Sequence, residues 1–306
     1  MGDAEVRISV VIPTCNAEAY MDSLLSVLER QSMPIDEIIV IDSASSDNTI
    51  GIAKKYKNVK IMEIKRSEFN HGTTRHKAFL ESKGDIVCFL TQDALPQNEA
   101  YIENLTKPFN ENPKIACVYG RQVAKNDASE TERLSREFNY PKESSVRSKN
   151  DIKKLGIKAF FLSNCCSAYR RNAYLEVGGF ENGIIVNDDM EIAYRFLIKD
   201  FYVSYEANAV VFHSHDYTLS SQFKRYFDIS VFLKNHHQCD LGTRFEGIKC
   251  AKFVLKKLLK RAKFLTIIYF VAECVAKLLG NIIGKYYRIL PNTVARKMSG
   301  QKNWWG

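Results

Sequence analysis

The sequence is poor in several signatures, and each shortage excludes something. Only 7 prolines and 15 glycines occur among 306 residues, which excludes collagenous and low-complexity architectures. No G-x-G-x-x-G follows the first apolar run and no Walker lysine loop is present. That argues against a nicotinamide dehydrogenase and a phosphate-loop NTPase. The 8 cysteines include no C-x-x-C pair; Cys15, Cys88 and Cys117 lie in or beside apolar runs, and Cys165 and Cys166 are adjacent. Reduced, mostly buried thiols are therefore expected rather than a disulfide framework. The opening Met1-Gly-Asp-Ala-Glu-Val-Arg7 has neither the basic nor the apolar region of a secretory leader, so a cytoplasmic protein is expected. Acidic residues run short at one end: from Arg244 onward fourteen Lys and Arg face two acids, Glu246 and Glu273. That stretch carries +12 of a chain total of +9, which leaves the first 243 residues at −3.

Core material, by contrast, is plentiful. Hydrophobic residues make up 45% and aromatics 11% of the chain, enough for one large α/β domain with a smaller appendage and too much for a stapled mini-protein. Ile8-Ser-Val-Val-Ile12, Glu37-Ile-Ile-Val-Ile41, Val59-Lys-Ile-Met-Glu-Ile64 and Asp85-Ile-Val-Cys-Phe-Leu90 read as short buried strands. Helical stretches at 19–30, 46–55 and 73–82 separate them, the alternation of a parallel sheet covered on both faces. From Lys125 to Lys154 the chain is polar and short of large aliphatic residues, and reads as a surface excursion. Regular patterning resumes with helices at 171–177 and 189–198 and a strand from Val203 to Phe212.

The basic end has its own pattern. Lys249, Lys252, Lys256, Lys260 and Lys263 recur at helical spacing, with Phe253, Leu255, Leu258, Leu259 and Ala262 between them. Phe264 to Gly284 is about long enough to span a bilayer, yet Glu273 and Lys277 would each cost about 2.5–3.5 kcal/mol at its centre. A helix lying in the membrane interface is one reading, and a helical hairpin packed on the first domain with a solvated basic face is the other. The expected division is a domain at 1–243 and a membrane-associating helical region at 244–306.

In an open parallel sheet, ligands bind at the carboxyl ends of the strands. Pro13-Thr-Cys-Asn16, Asp42-Ser-Ala-Ser-Ser-Asp47 and Thr91-Gln-Asp93 all fall there, so Asn16, Asp42 and Asp93 share one edge. A nucleic-acid binder would need a basic stripe across this domain, and its first 243 residues are net acidic. A sugar-nucleotide nucleotidyltransferase would need a Gly-rich cationic loop after the first strand, which Pro13-Thr-Cys-Asn16 is not.

Taken together, these motifs resemble glycosyltransferase family 2 enzymes of the GT-A fold, and within them a bacterial rhamnosyltransferase-like group. The resemblance rests on Ile8-Ser-Val-Val-Ile-Pro-Thr-Cys-Asn16, Ile39-Val-Ile-Asp-Ser-Ala-Ser-Ser-Asp-Asn-Thr49, Phe69-Asn-His-Gly72 with Arg75, and Phe89-Leu-Thr-Gln-Asp-Ala-Leu-Pro96. It implies a nucleotide-sugar donor held by Pro13, Thr14, Asn16, Arg66, His71, Gly72, Arg75, Gln92 and Asp93, with Asp42 on the pyrimidine. The charged carboxylate acceptor makes a strong bond to a base imide; a turn cap is the alternative for Asp42, and a solvated helix position for Arg75. The family's metal-binding D-x-D reads Thr91-Gln92-Asp93 here, which keeps one acid for Mg²⁺ or Mn²⁺. His213 or His215 would add nitrogen ligands that favour Mn²⁺, or would simply be rim residues. In Asn187-Asp188-Asp189-Met-Glu191, the resemblance makes Asp189 the general base of an inverting displacement, with Asn164, Ser167 and Asp188 at the acceptor. Acids in a first helical turn are also favoured by the macrodipole alone. The implied reaction moves L-rhamnose from dTDP-rhamnose, or a hexose from a UDP donor, onto a lipid-linked saccharide for O-antigen or capsule at the inner face of the cytoplasmic membrane.

Overall fold

A computed structural model describes residues 6–241 and 243–305; the first five residues, read above for a leader, lie outside them. The chain opens with β1 (Ile8–Thr14), α1 (Glu18–Glu29), β2 (Glu37–Asp42), α2 (Thr49–Ala53), β3 (Val59–Glu63), α3 (His71–Glu81) and β4 (Ile86–Leu90). β1 pairs in parallel with both β2 and β4, and β2 with β3. The continuous apolar runs explain this arrangement. Ile8, Val10 and Ile12 pack on one side of the sheet with Met21, Leu24 and Leu28 of α1, while Val11, Ile39 and Phe89 pack on the other with Ala78 and Phe79 of α3.

The second half departs from that rhythm. β5 (Leu95–Pro96), α4 (Tyr101–Glu111), β6 (Ile115–Val123), α5 (Glu130–Asn139), β7 (Ser145–Arg147), α6 (Ile152–Leu155), β8 (Cys166–Arg170), α7 (Arg171–Glu176), α8 (Asp188–Ile198) and β9 (Tyr202–Phe212) follow. The sheet order is β3-β2-β1-β4-β8-β6-β9-β5, with β7 on β9. β8 runs antiparallel between β4 and β6, so the sheet is parallel in its first half and mixed beyond. The stretch from Lys125 to Lys154, expected as a surface excursion, is instead largely structured. α5 buries Thr131 and Leu134, and Arg147 of β7 is buried.

Helices α9 (Leu219–Asn235), α10 (Thr243–Lys260), α11 (Phe264–Lys285) and α12 (Asn292–Met298) complete the chain. α11 lies along α9 so closely that a Cβ at Gly280 would stand 2.3 Å from the Phe223 carbonyl oxygen. α10 packs on α5 in a cluster of Leu134, Val254 and Leu258 that Phe270 of α11 joins, with Lys257 paired to Glu137 at 3.1 Å and Arg261 to Glu130. The basic stretch thus forms helices that pack on α5 and α9. Glu273 is buried and Lys277 lies over the Tyr226 ring, so both charges near the middle of α11 turn toward protein. Its other face, with Leu265 84%, Ile268 68% and Leu278 58% exposed, is left bare.

Candidate active site

The carboxyl ends of β1, β2 and β4 form one rim. Thr14 Oγ1 donates to Asp42 Oδ1 at 2.9 Å, and Ser45 gives Asp42 both its amide (2.8 Å) and its hydroxyl (2.5 Å). Asp42 is fully buried. Its carboxylate caps the turn after β2, and Asp42 is not among the residues that line the cleft described below. Asn16, at φ +50°, takes the Ser46 amide at 2.9 Å and knits the same two loops. Gln92 pins the end of β1 to β4, accepting from the Cys15 amide at 2.8 Å and donating to its carbonyl at 3.2 Å.

One residue further along, Asp93 meets both histidines at the end of β9. Its Oδ2 lies 3.5 Å from His213 Nε2 and 3.2 Å from His215 Nε2, and one ligand atom from each of the three residues falls within 4.8 Å of the others. Burial works to raise Asp93, but the hydrogen bond and charge of His213, with His215, hold it well below the usual carboxylate range. His213 is pushed up to about 9, burial being outweighed by Cys165 and Asp93. Nδ1 of His213 is 2.9 Å from Gln122 Oε1, and Gln122 in turn bonds Ser163 at 2.8 Å and receives Arg136. A carboxylate and two imidazoles, one oriented by a buried amide, fit a divalent ion.

Across the cleft, α8 begins after Asn187, whose φ of +62° turns the chain inward. The two acids that follow share Asn164 as a partner. The Asn164 amide donates to Asp189 Oδ2 at 3.2 Å and its Nδ2 to Asp188 Oδ2 at 3.0 Å, while its Oδ1 accepts from Ser167 and Tyr169. Arg75 Nη1 stands 3.8 Å from Asp188, with its Nε buried and unpartnered. Burial, then the charge of Asp188, pushes Asp189 up to about 7. Burial and the Arg75 charge push His71 down to about 4, which leaves it neutral near pH 7. Glu191 is taken by Arg195 at 2.6 Å, and that guanidinium also grips the Gly179 carbonyl at 2.6 Å, so Arg195 braces the Gly178-Gly179 turn.

These groups line a single cleft of about 780 Å³. Of the residues expected from the sequence, Pro13, Thr14, His71, Arg75, Gln92, Asp93, Asn164, Asp188, Asp189, His213 and His215 face it. Asn16, Asp42, Arg66, Gly72 and Ser167 are not among its lining residues. Gly72 supports it closely, since a Cβ there would lie 3.2 Å from Asp188 Cβ. The cleft also takes in Gln122, Arg136, Lys224, Arg225 and Gln301, which the sequence reading missed. Gln122 and Arg136 had a local signal, a strand end and a helix with a capping Ser129. Lys224 and Gln301 had none, because folding alone brings them from far along the chain.

A mixed α/β sheet whose strand ends bring a carboxylate–imidazole cluster and a buried acidic pair to one cleft defines a glycosyltransferase of the GT-A fold. Residues 9–178 match the Glycosyl transferase family 2 model, and the chain belongs to that family. It is 39% identical over 308 residues to the O-antigen chain rhamnosyltransferase RfbN of Salmonella typhimurium, covering 98% of this chain and 96% of that protein. It is likewise 39% identical to the O-antigen chain rhamnosyltransferase WbaN of Salmonella anatum, covering 97% and 95%. Among solved structures, the mannosyltransferase PcManGT of Pyrobaculum calidifontis, in complex with GDP-Man and Mn²⁺, superposes with a TM-score of 0.63 at 16% identity, over 92% of this chain and 88% of that one.

Proposed function

We propose that this glycosyltransferase is an inverting rhamnosyltransferase that moves L-rhamnose from dTDP-rhamnose to a lipid-linked saccharide in O-antigen assembly. The observation that carries the mechanism is the meeting of Asp93, His213 and His215 with Asp189 across one cleft. The full-length similarity to RfbN and WbaN supports the sugar.

Asp189 accepts the proton of the acceptor hydroxyl as that oxygen attacks the anomeric carbon. The bond from that carbon to the donor's diphosphate breaks on the opposite face, so configuration inverts and the nucleoside diphosphate leaves. A base raised to about 7 suits this task, since a large share of it is ionised at neutral pH and that form is a stronger proton acceptor than an ordinary carboxylate. Asp93, His213 and His215 would hold the divalent ion, Mn²⁺ preferred for its nitrogen donors. When bound, that ion would neutralise charge developing on the departing diphosphate. Arg75 and Arg136 contribute fixed positive charge from opposite sides of the same cleft.

We further place the enzyme on the inner face of the cytoplasmic membrane, with 244–306 as the membrane-facing unit. Its +12 charge suits anionic headgroups, each Lys or Arg near the surface being worth about 1 kcal/mol. The bare face of α11 suits the acyl boundary. Transfer assays across a donor panel test the reaction: turnover with dTDP-rhamnose is expected, and turnover with UDP-hexoses alone would sink the rhamnosyl assignment.

A further inference from the structure

Beside the catalytic cleft, α9, α12 and the segment after it enclose a second concavity of about 600 Å³, lined by Lys224, Thr293, Arg296, Lys297 and Lys302. We propose that it is a phosphate subsite that receives the diphosphate of the lipid-linked acceptor, an assignment that rests on the acceptor reading above.

Its construction is specific. Thr293, Arg296 and Lys297 fall at i, i+3 and i+4 on one face of α12, while Ala295 and Met298 pack with the neighbouring helices on the other. Lys302 is brought alongside by the turn at Ser299–Gly300. That turn is fixed by Asp228, a buried carboxylate that accepts from Ser299 Oγ at 2.5 Å and from the Gly300 amide at 2.9 Å. Lys224 stands one helical turn before Asp228 and lines both this concavity and the catalytic cleft.

Lys224, Lys297, Lys302 and the Thr293 hydroxyl, with no carboxylate among the described lining residues, select a multiply charged oxyanion; the nearby Asp228, whose charge is felt by Lys224, is taken up by the Ser299–Gly300 turn. The shared Lys224 gives that anion a direction, because a diphosphate seated here has its attached saccharide at the mouth of the cleft that holds Asp189. The lipid has somewhere to go as well. Val294 on α12, Tyr286 and Ile289 just before it, and the bare face of α11 are exposed, and α11 is packed against Phe223, the neighbour of Lys224. A phospholipid headgroup offers the same chemistry, but the opening into the cleft favours an acceptor-borne diphosphate.

Calorimetric binding of farnesyl diphosphate in EDTA, so that the Asp93 site cannot recruit it through metal, tests the subsite on the full chain. The variant replaces the exposed Lys297→Ala and Lys302→Ala together. Farnesyl diphosphate is expected to bind at least about tenfold more weakly, while farnesol, and dTDP with Mn²⁺, bind as before. Unchanged farnesyl diphosphate affinity, or an equal loss for dTDP, would overturn the proposal. On this proposal Lys297 and Lys302 face the concavity and not the headgroups, so they fall outside the per-cation membrane contribution given above and partition onto phosphatidylglycerol vesicles is expected to stay within about twofold; a fall matching that for farnesyl diphosphate would give these cations to headgroups and overturn it too. Transfer by the unaltered enzyme to farnesyl-diphosphate-linked saccharides reads the acceptor assignment separately. Its absence, with farnesyl diphosphate still bound as expected, would remove that assignment and with it the role given to the site.

Discussion

Asp189 illustrates how one side chain's surroundings set a working pH. Burial and the adjacent Asp188 raise it to about 7, while the Asn164 and Met190 amides and Arg75 keep the ionised form accessible. A base works only when ionised, so kcat/KM is expected to rise about tenfold per pH unit below 7 and to level off above it. The stability linkage has the opposite sign. The folded-state value lies above the ordinary 3.8, so this group's contribution is full below that pH and is lost as pH rises through 7. Asp189→Asn should cut transfer by about 10³-fold with donor affinity nearly intact, read by initial rates and dTDP titration. Gln122 acts one step back from the chemistry. Its buried amide orients His213, and Gln122→Ala should weaken Mn²⁺ binding by about 10–100-fold, with the unaltered fold checked by circular dichroism.

At the scale of elements, the closeness of α9 and α11 rests on two glycines. A side chain at Gly280 or Gly284 would meet the Phe223 or Phe227 carbonyl at under 3 Å, so the helices can touch only where no Cβ intervenes. Gly280→Leu should cost about 1–3 kcal/mol, seen as a lower urea midpoint with little change in slope. The first four strands were legible in the sequence because β-branched runs buried on both faces leave few other structures. Their ends correctly brought Asp93 to the cleft and Asp42 to its rim. The insertion of β8 between β4 and β6 was not legible, because antiparallel pairing across so long a separation leaves no local periodicity. α5 was passed over for a different reason: its core contacts come chiefly from Thr131 and Leu134, too few to mark a helix in a polar stretch. Arg136 was lost with it.

For the whole molecule, charge and apolar surface divide the work. The first 243 residues are net acidic and supply most of the cleft, while the C-terminal helices concentrate basic residues beside an apolar face that no described part of the chain covers. Membrane binding through those helices would have two parts with different responses to salt. The electrostatic part decays within a Debye length, about 10 Å at 0.1 M and 3 Å at 1 M, whereas burial of apolar side chains persists. Partition onto phosphatidylglycerol vesicles should therefore fall several-fold between 0.1 and 1 M salt and stop at a residual level. Leu265→Glu with Ile268→Glu, both on the bare face of α11, should remove the residual binding and, through two added negative charges, weaken the salt-sensitive part without abolishing it. Because Glu273 and Lys277 already face protein, two new acids on the outer face would not disturb the packing on α9, and cleft chemistry on a soluble acceptor should be unchanged. Salt-independent partition by the unaltered chain would instead mean that apolar burial alone holds it at the membrane, with the +12 charge playing no part in anchoring.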